Sequence, residues 1–66
     1  MQVTVNGEPT DLGSDTTVAA LVAERAGGTS RVAVALNGEV VPRSRWQTTD
    51  LAAGDSIEVL TATAGG

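Results

Sequence analysis

The side chains in this sequence that could do chemistry are mostly carboxylates. Glu8, Asp11, Asp15, Glu24, Glu39, Asp50, Asp55 and Glu58 are the eight acids. Acid–base catalysis by carboxylates needs two of them close together in unlike environments. Here they fall singly in turns, caps and outward strand positions, a spread that suits solvation. The chain has no cysteine and no histidine. Thiolate nucleophiles, disulfides, zinc centres and Ser-His relays are therefore excluded, and no metal site is expected. Gly27-Gly28 ends a helical pattern instead of opening a helix behind a strand, so it is not a phosphate loop. The remaining reactive group is the carboxylate after Ala64-Gly65-Gly66. A Gly-Gly pair lacks Cβ atoms and can thread a narrow cleft, presenting an unhindered carboxylate to an activating enzyme. The alternative is a solvated end, the ordinary state of a terminus.

The elements that would position this end are legible in the patterning. Residues 1–5 alternate, with Met1, Val3 and Val5 on one side, as in a half-buried strand. Asn6-Gly7 is a hairpin turn, and Pro9 confines the returning segment 8–12 to a sheet edge. Thr17 is the expected N-cap of a helix of about ten residues, with Asp15 and Thr16 as rivals. Val18, Leu21, Val22 and Ala26 share its apolar face, and Gly27-Gly28 ends it. Residues 31–36 read as a third strand, Asn37-Gly38 as a second hairpin turn, and Glu39-Val40-Val41 as the return, ended by Pro42. Residues 43–50 form a loop or short 3₁₀ turn around Trp46. Ala53-Gly54-Asp55 turns into a last strand, 56–60, with Ile57 and Val59 inward. The resulting order is ββα, then a β-hairpin and a final strand: one domain over 1–60 and a flexible tail over 61–66.

Length and charge narrow the function further. Sixty-six residues cannot hold a cofactor domain beside a substrate domain. The apolar content is nine Val, ten Ala, five Leu and single Ile, Met and Trp residues, so the core must be compact and regular. Net charge is −4, which disfavours nucleic acid and anionic membrane surfaces. No apolar run spans a bilayer and no signal core opens the chain, so a cytoplasmic protein is expected. All four basic residues are arginines. The lack of lysine leaves no neighbouring amine to capture an activated terminus, and a compositional bias towards Arg and Ala explains it equally.

One stretch carries a resemblance. Asn37-Gly38-Glu39-Val40-Val41-Pro42-Arg43-Ser44-Arg45-Trp46 resembles the Asn-x-x-(apolar)-Val-Pro-Arg-x-x-Trp signature of the ThiS sulfur carriers, within the ThiS/MoaD ubiquitin-like family. Thr17-Val18, Gly54-Asp55-x-Ile57 and Ala64-Gly65-Gly66 fit the same pattern. Thr61 and Thr63 depart from it, standing where larger apolar residues are common. The resemblance implies an α+β, ubiquitin-like β-grasp fold: a mixed sheet of four to five strands wrapped on one helix, with a flexible Gly-Gly tail. It implies a carrier acted on by other enzymes, not an enzyme, with no cofactor bound by the chain itself. A ThiF-like adenylyltransferase would use ATP with Mg to adenylate the carboxylate of Gly66. A persulfide relay would then leave a thiocarboxylate, and a ThiG-like thiazole synthase would accept the sulfur. Alternatives are a sulfur carrier of another pathway, such as the small subunit of molybdopterin synthase, or a non-covalent β-grasp interaction module.

Gly65 and Ala64 would then serve tail recognition. Leu60 points away from Ile57 and Val59 by strand parity, which makes it a docking candidate. Arg43 and Arg45 could clamp an acidic partner or simply be solvated, and Arg43 is the docking candidate of the two. Trp46 reads as the cap on a small core, since no other large side chain can fill that volume.

Overall fold

A computed structural model describes residues 1–26 and 31–61. Its elements are β1 (Gln2–Val5), β2 (Glu8–Asp11), α1 (Val18–Ala26), β3 (Val32–Leu36), β4 (Glu39–Val40), a 3₁₀ segment (Arg43–Thr48) and β5 (Ser56–Thr61). The strands form one mixed sheet in the order β2-β1-β5-β3-β4. Only the β1–β5 pair is parallel; β1–β2, β3–β4 and β3–β5 are antiparallel. The five strands with one helix match the expected β-grasp architecture.

Each element follows from its residues. In β1 and β5 the alternation puts Val3, Val5, Ile57 and Val59 into the core. Asn6 (φ 52) with Gly7 (φ 83), and Asn37 (φ 51) with Gly38 (φ 86), make the paired left-handed positions of type I′ hairpins. Pro9 has no N–H to donate, and β2 is an edge strand, as expected. At the start of α1, Thr17 Oγ1 accepts the Ala20 N–H at 3.2 Å, which settles the N-cap in favour of Thr17. Val18, Leu21 and Val22 are buried while Glu24 and Arg25 are exposed. The helix stop assigned to Gly27-Gly28 lies outside the described residues, and nothing is added about the Ala26 side chain.

Three details differ from expectation. The return strand β4 covers only Glu39–Val40. The Val41 N–H still bonds Val34 O at 2.8 Å, but Pro42 has no N–H with which to continue the ladder. Second, β5 extends through Thr61, which pairs with Val32, so the strand runs one residue past the expected boundary at Leu60. Third, Leu51 is a core residue. It is drawn in by a short bridge in which the Val18 N–H bonds Thr49 O at 3.0 Å and the Leu51 N–H bonds Thr16 O at 3.0 Å. That bridge ties the segment before β5 to the start of α1.

The core lies between α1 and the sheet: Val3, Val5, Val18, Leu21, Val22, Val34, Trp46, Leu51, Ile57 and Val59. Trp46 caps it and directs its Nε1–H to Val41 O at 2.8 Å, so its one polar atom is satisfied. Burying a Val, Leu or Ile side chain contributes about 1.5–3 kcal/mol. Stability for a chain of this length is about 3–10 kcal/mol, so few such contacts can be lost.

Candidate functional site

The site is built on the exit of β5. As the central strand, β5 is held by β1 on one side and β3 on the other. Its inward positions, Ile57 and Val59, bury against α1, and its outward positions are Ser56, Glu58 and Leu60. Leu60 is 65% exposed, the orientation expected from parity. It sits opposite Ala33 of β3. Arg31, Val32, Ala33, Leu60 and Thr61 line an open depression of about 450 Å³. This is a mostly apolar surface with one arginine at its rim, suited to receiving an apolar side chain of a partner and not to holding a reacting small molecule.

Arg43 opens the 3₁₀ segment, and its guanidinium lies 5.0 Å from the centroid of the Trp46 ring. A cation over an aromatic face at this distance contributes about 0.5–1 kcal/mol at an exposed site. The stack holds an exposed positive charge in a fixed place above a core residue. Because the 3₁₀ segment packs against α1 and Leu60 faces the other way, the two docking candidates are not gathered on one surface. Ala64, Gly65 and Gly66 lie outside the described residues. Among the described residues, no group of three acidic side chains gathers where a metal ion could be held.

By local sequence Asn6 and Asn37 are turn residues, and Asn37 also opens the signature stretch. In the structure both side chains also bind β5. Asn6 Oδ1 accepts the Val59 N–H at 2.8 Å, and Asn6 Nδ2 donates to Val59 O at 3.1 Å. Asn37 Oδ1 accepts the Ser56 N–H at 2.9 Å, and Asn37 Nδ2 donates to Asp55 Oδ1 at 3.1 Å. The available signal was the repeated tripeptide Asn-Gly-Glu, at Asn6-Gly7-Glu8 and again at Asn37-Gly38-Glu39.

Five strands around one helix, with a central β5 running parallel to β1, define the chain as a ubiquitin-like β-grasp protein. The ThiS family model matches residues 3–66. The crystal structure of a thiamine biosynthesis protein (ThiS) from Geobacter metallireducens superposes with a TM-score of 0.82 at 33% identity, covering 100% of both chains. The NMR solution structure of a thiamine biosynthesis protein from Geobacter metallireducens gives a TM-score of 0.80 at 36% identity, covering 100% of this chain and 88% of the other. A comparison with curated proteins finds no match. The chain belongs to the ThiS family. Membership supports the role of a small carrier protein in thiamine biosynthesis, not itself a catalytic enzyme. Among the described residues, no helix is long and apolar enough to cross a membrane.

Proposed function

We propose that the chain carries sulfur for thiazole formation on the carboxylate of Gly66. The observation that most supports this reading is the family match, which runs through Gly66, on a fold whose central strand leads towards that residue. A carboxylate is a poor acyl donor, so it must first be activated. In a partner of the ThiF kind, acting with ATP and Mg, a Gly66 carboxylate oxygen attacks the α-phosphorus and pyrophosphate leaves. The terminal sulfur of a persulfide then attacks the acyl carbon, and AMP departs. A thiol of the relay then attacks the inner sulfur of the former persulfide and breaks the S–S bond; the inner sulfur leaves as a disulfide with that thiol, and the outer sulfur stays on the acyl carbon of Gly66 as a thiocarboxylate. A thiazole synthase of the ThiG kind accepts that sulfur, and these steps take place in the cytoplasm.

This chain contributes presentation. Gly65 and Gly66 have no side chain to obstruct a narrow site, and Ala64 adds only a methyl group. Enclosing the end within the partner protects the acyl-adenylate from water. Leu60, exposed on the face away from α1, is the docking residue of the domain. Arg43 offers a second contact, to an acidic surface, from the side of the 3₁₀ segment.

ATP–pyrophosphate exchange with a ThiF-type adenylyltransferase tests the first step. The full chain is expected to support exchange, and the variant lacking Gly66 to remain folded but inert. Exchange undiminished by the deletion rules out Gly66 as the activated residue. A full chain that supports no exchange favours a non-covalent β-grasp module.

A further inference from the structure

The chain's two asparagines, Asn6 and Asn37, stand in the same tripeptide, Asn-Gly-Glu. Asparagine is a thermally labile residue, and glycine after it, lacking Cβ, leaves the attacking main-chain nitrogen unhindered. That nitrogen adds to the asparagine Cγ, and ammonia leaves as a cyclic imide closes. Water then opens the ring at either carbonyl, leaving aspartate, or isoaspartate with the main chain routed through the side chain. The balance is amide plus water to acid plus ammonia, with no other reactant. Both pairs have nearly the same backbone: φ 52 and 83 at Asn6-Gly7, φ 51 and 86 at Asn37-Gly38. At either glycine a Cβ would meet nothing within 4 Å. Neighbours and backbone are thus matched, and the hold on the amide is what differs. Asn6 is bound at both atoms by Val59, its Oδ1 accepting the N–H at 2.8 Å and its Nδ2 donating to the carbonyl at 3.1 Å, both bonds partly buried. Swinging Asn6 free strips both main-chain groups of Val59 of a partner where water reaches poorly. The Asn37 bonds, from the Ser56 N–H at 2.9 Å and to Asp55 Oδ1 at 3.1 Å, are exposed, so water replaces either.

We propose that Asn37 is a site of spontaneous covalent modification, deamidating in the folded protein, while Asn6 in the same tripeptide is guarded by Val59. The inference stands apart from the carrier reading. Aspartate at position 37 puts a carboxylate, in place of an amide donor, against Asp55 Oδ1. Isoaspartate adds a main-chain carbon to a two-residue turn, and β4, only Glu39–Val40, has no length in which to absorb it. Val41 follows directly, and its carbonyl accepts the Trp46 Nε1–H. Modification at Asn37 therefore loosens the cap on the core.

The test follows deamidation of the full chain in mildly alkaline buffer by peptide mapping, beside a sample held unfolded in denaturant. Trypsin cuts after Arg25, Arg31 and Arg43, so the two asparagines fall in separate peptides, 1–25 and 32–43. The unfolded sample supplies the intrinsic ratio of the two rates. Relative to that ratio, Asn37 in the folded chain is expected to convert faster than Asn6 by about tenfold or more, the factor for about 1.4 kcal/mol of net hydrogen bonding. A second arm uses Asp55→Ser, whose hydroxyl still offers an acceptor to the Ala52 N–H that Asp55 Oδ2 holds at 2.8 Å, but is too short to hold Asn37 Nδ2. It should quicken conversion at Asn37 and leave Asn6 as it was. A folded-chain ratio equal to the unfolded one, or conversion at Asn6 ahead of Asn37, overturns the assignment. So does an Asn37 rate in Asp55→Ser no higher than in the wild-type chain.

Discussion

Leu60→Ala separates docking from folding, because Leu60 is large, apolar and only lightly packed. The substitution removes three carbon atoms, and each buried methylene is worth about 0.8 kcal/mol. Leu60 is 65% exposed in the free domain. A partner that covers the side chain therefore gains about two thirds of the full transfer energy, close to 1.5 kcal/mol. That corresponds to about a tenfold weaker Kd. The third already buried in the free domain is lost to stability, about 0.8 kcal/mol. On a domain of this size that is a fall in Tm of about 3–7 °C. Calorimetric titration of the adenylyltransferase, with a thermal melt of the free variant, measures both quantities. A Kd within twofold of wild type refutes the docking role. A fall in Tm of 8 °C or more refutes the premise that Leu60 is lightly packed.

Trp46→Phe removes the Nε1–H bond to Val41 O and part of the ring that caps the core. The combined loss of about 2 kcal/mol or more should lower Tm by about 10 °C, and an unchanged melt contradicts the core role. Gly54 has φ 88 and open space where a Cβ would stand. Gly54→Ala should therefore cost about 1–2 kcal/mol through the backbone alone. Gly13 has no positive φ, and a Cβ there would meet only Thr16 Oγ1 at 3.7 Å. Gly13→Ala should thus leave stability unchanged or raise it by about 0.4–1 kcal/mol, and denaturant melts of the pair check the contrast.

The parts of the fold set by local physics were legible in the sequence. Alternation in residues 1–5 marks the buried side of β1, Thr17 caps α1, and Asn-Gly pairs demand the left-handed turn. Parity alone placed Leu60 outside. Contacts between distant segments were not legible. Nothing local in Leu51 shows that it pairs with Thr16, because that bridge exists only once α1 packs beside the approach to β5. The central place of β5 has the same character, as it depends on the last strand inserting between β1 and β3. Asn6 illustrates the limit most clearly. Its turn-forming preference is local, whereas the bond from its amide to Val59 spans 53 residues. The stack of Arg43 on Trp46 lies between, since a spacing of three on a 3₁₀ turn aligns the two side chains. Gly65-Gly66 is legible only through the small bulk of its residues and through resemblance.

The central claim is that sulfur resides on the carboxylate of Gly66. The direct measurement is fragmentation mass spectrometry of the intact chain after incubation with ATP, an isotopically labelled persulfide donor and the activating enzyme. Exchange of one oxygen for sulfur has the same nominal mass as oxidation of Met1, so the label and the fragment position must both be read. The account predicts labelled sulfur in the C-terminal fragment at Gly66, in place of one carboxylate oxygen, where alkylation after the reaction captures it as a thioester. Labelled sulfur at any other position, or none on a chain that the enzyme has adenylated, would contradict it.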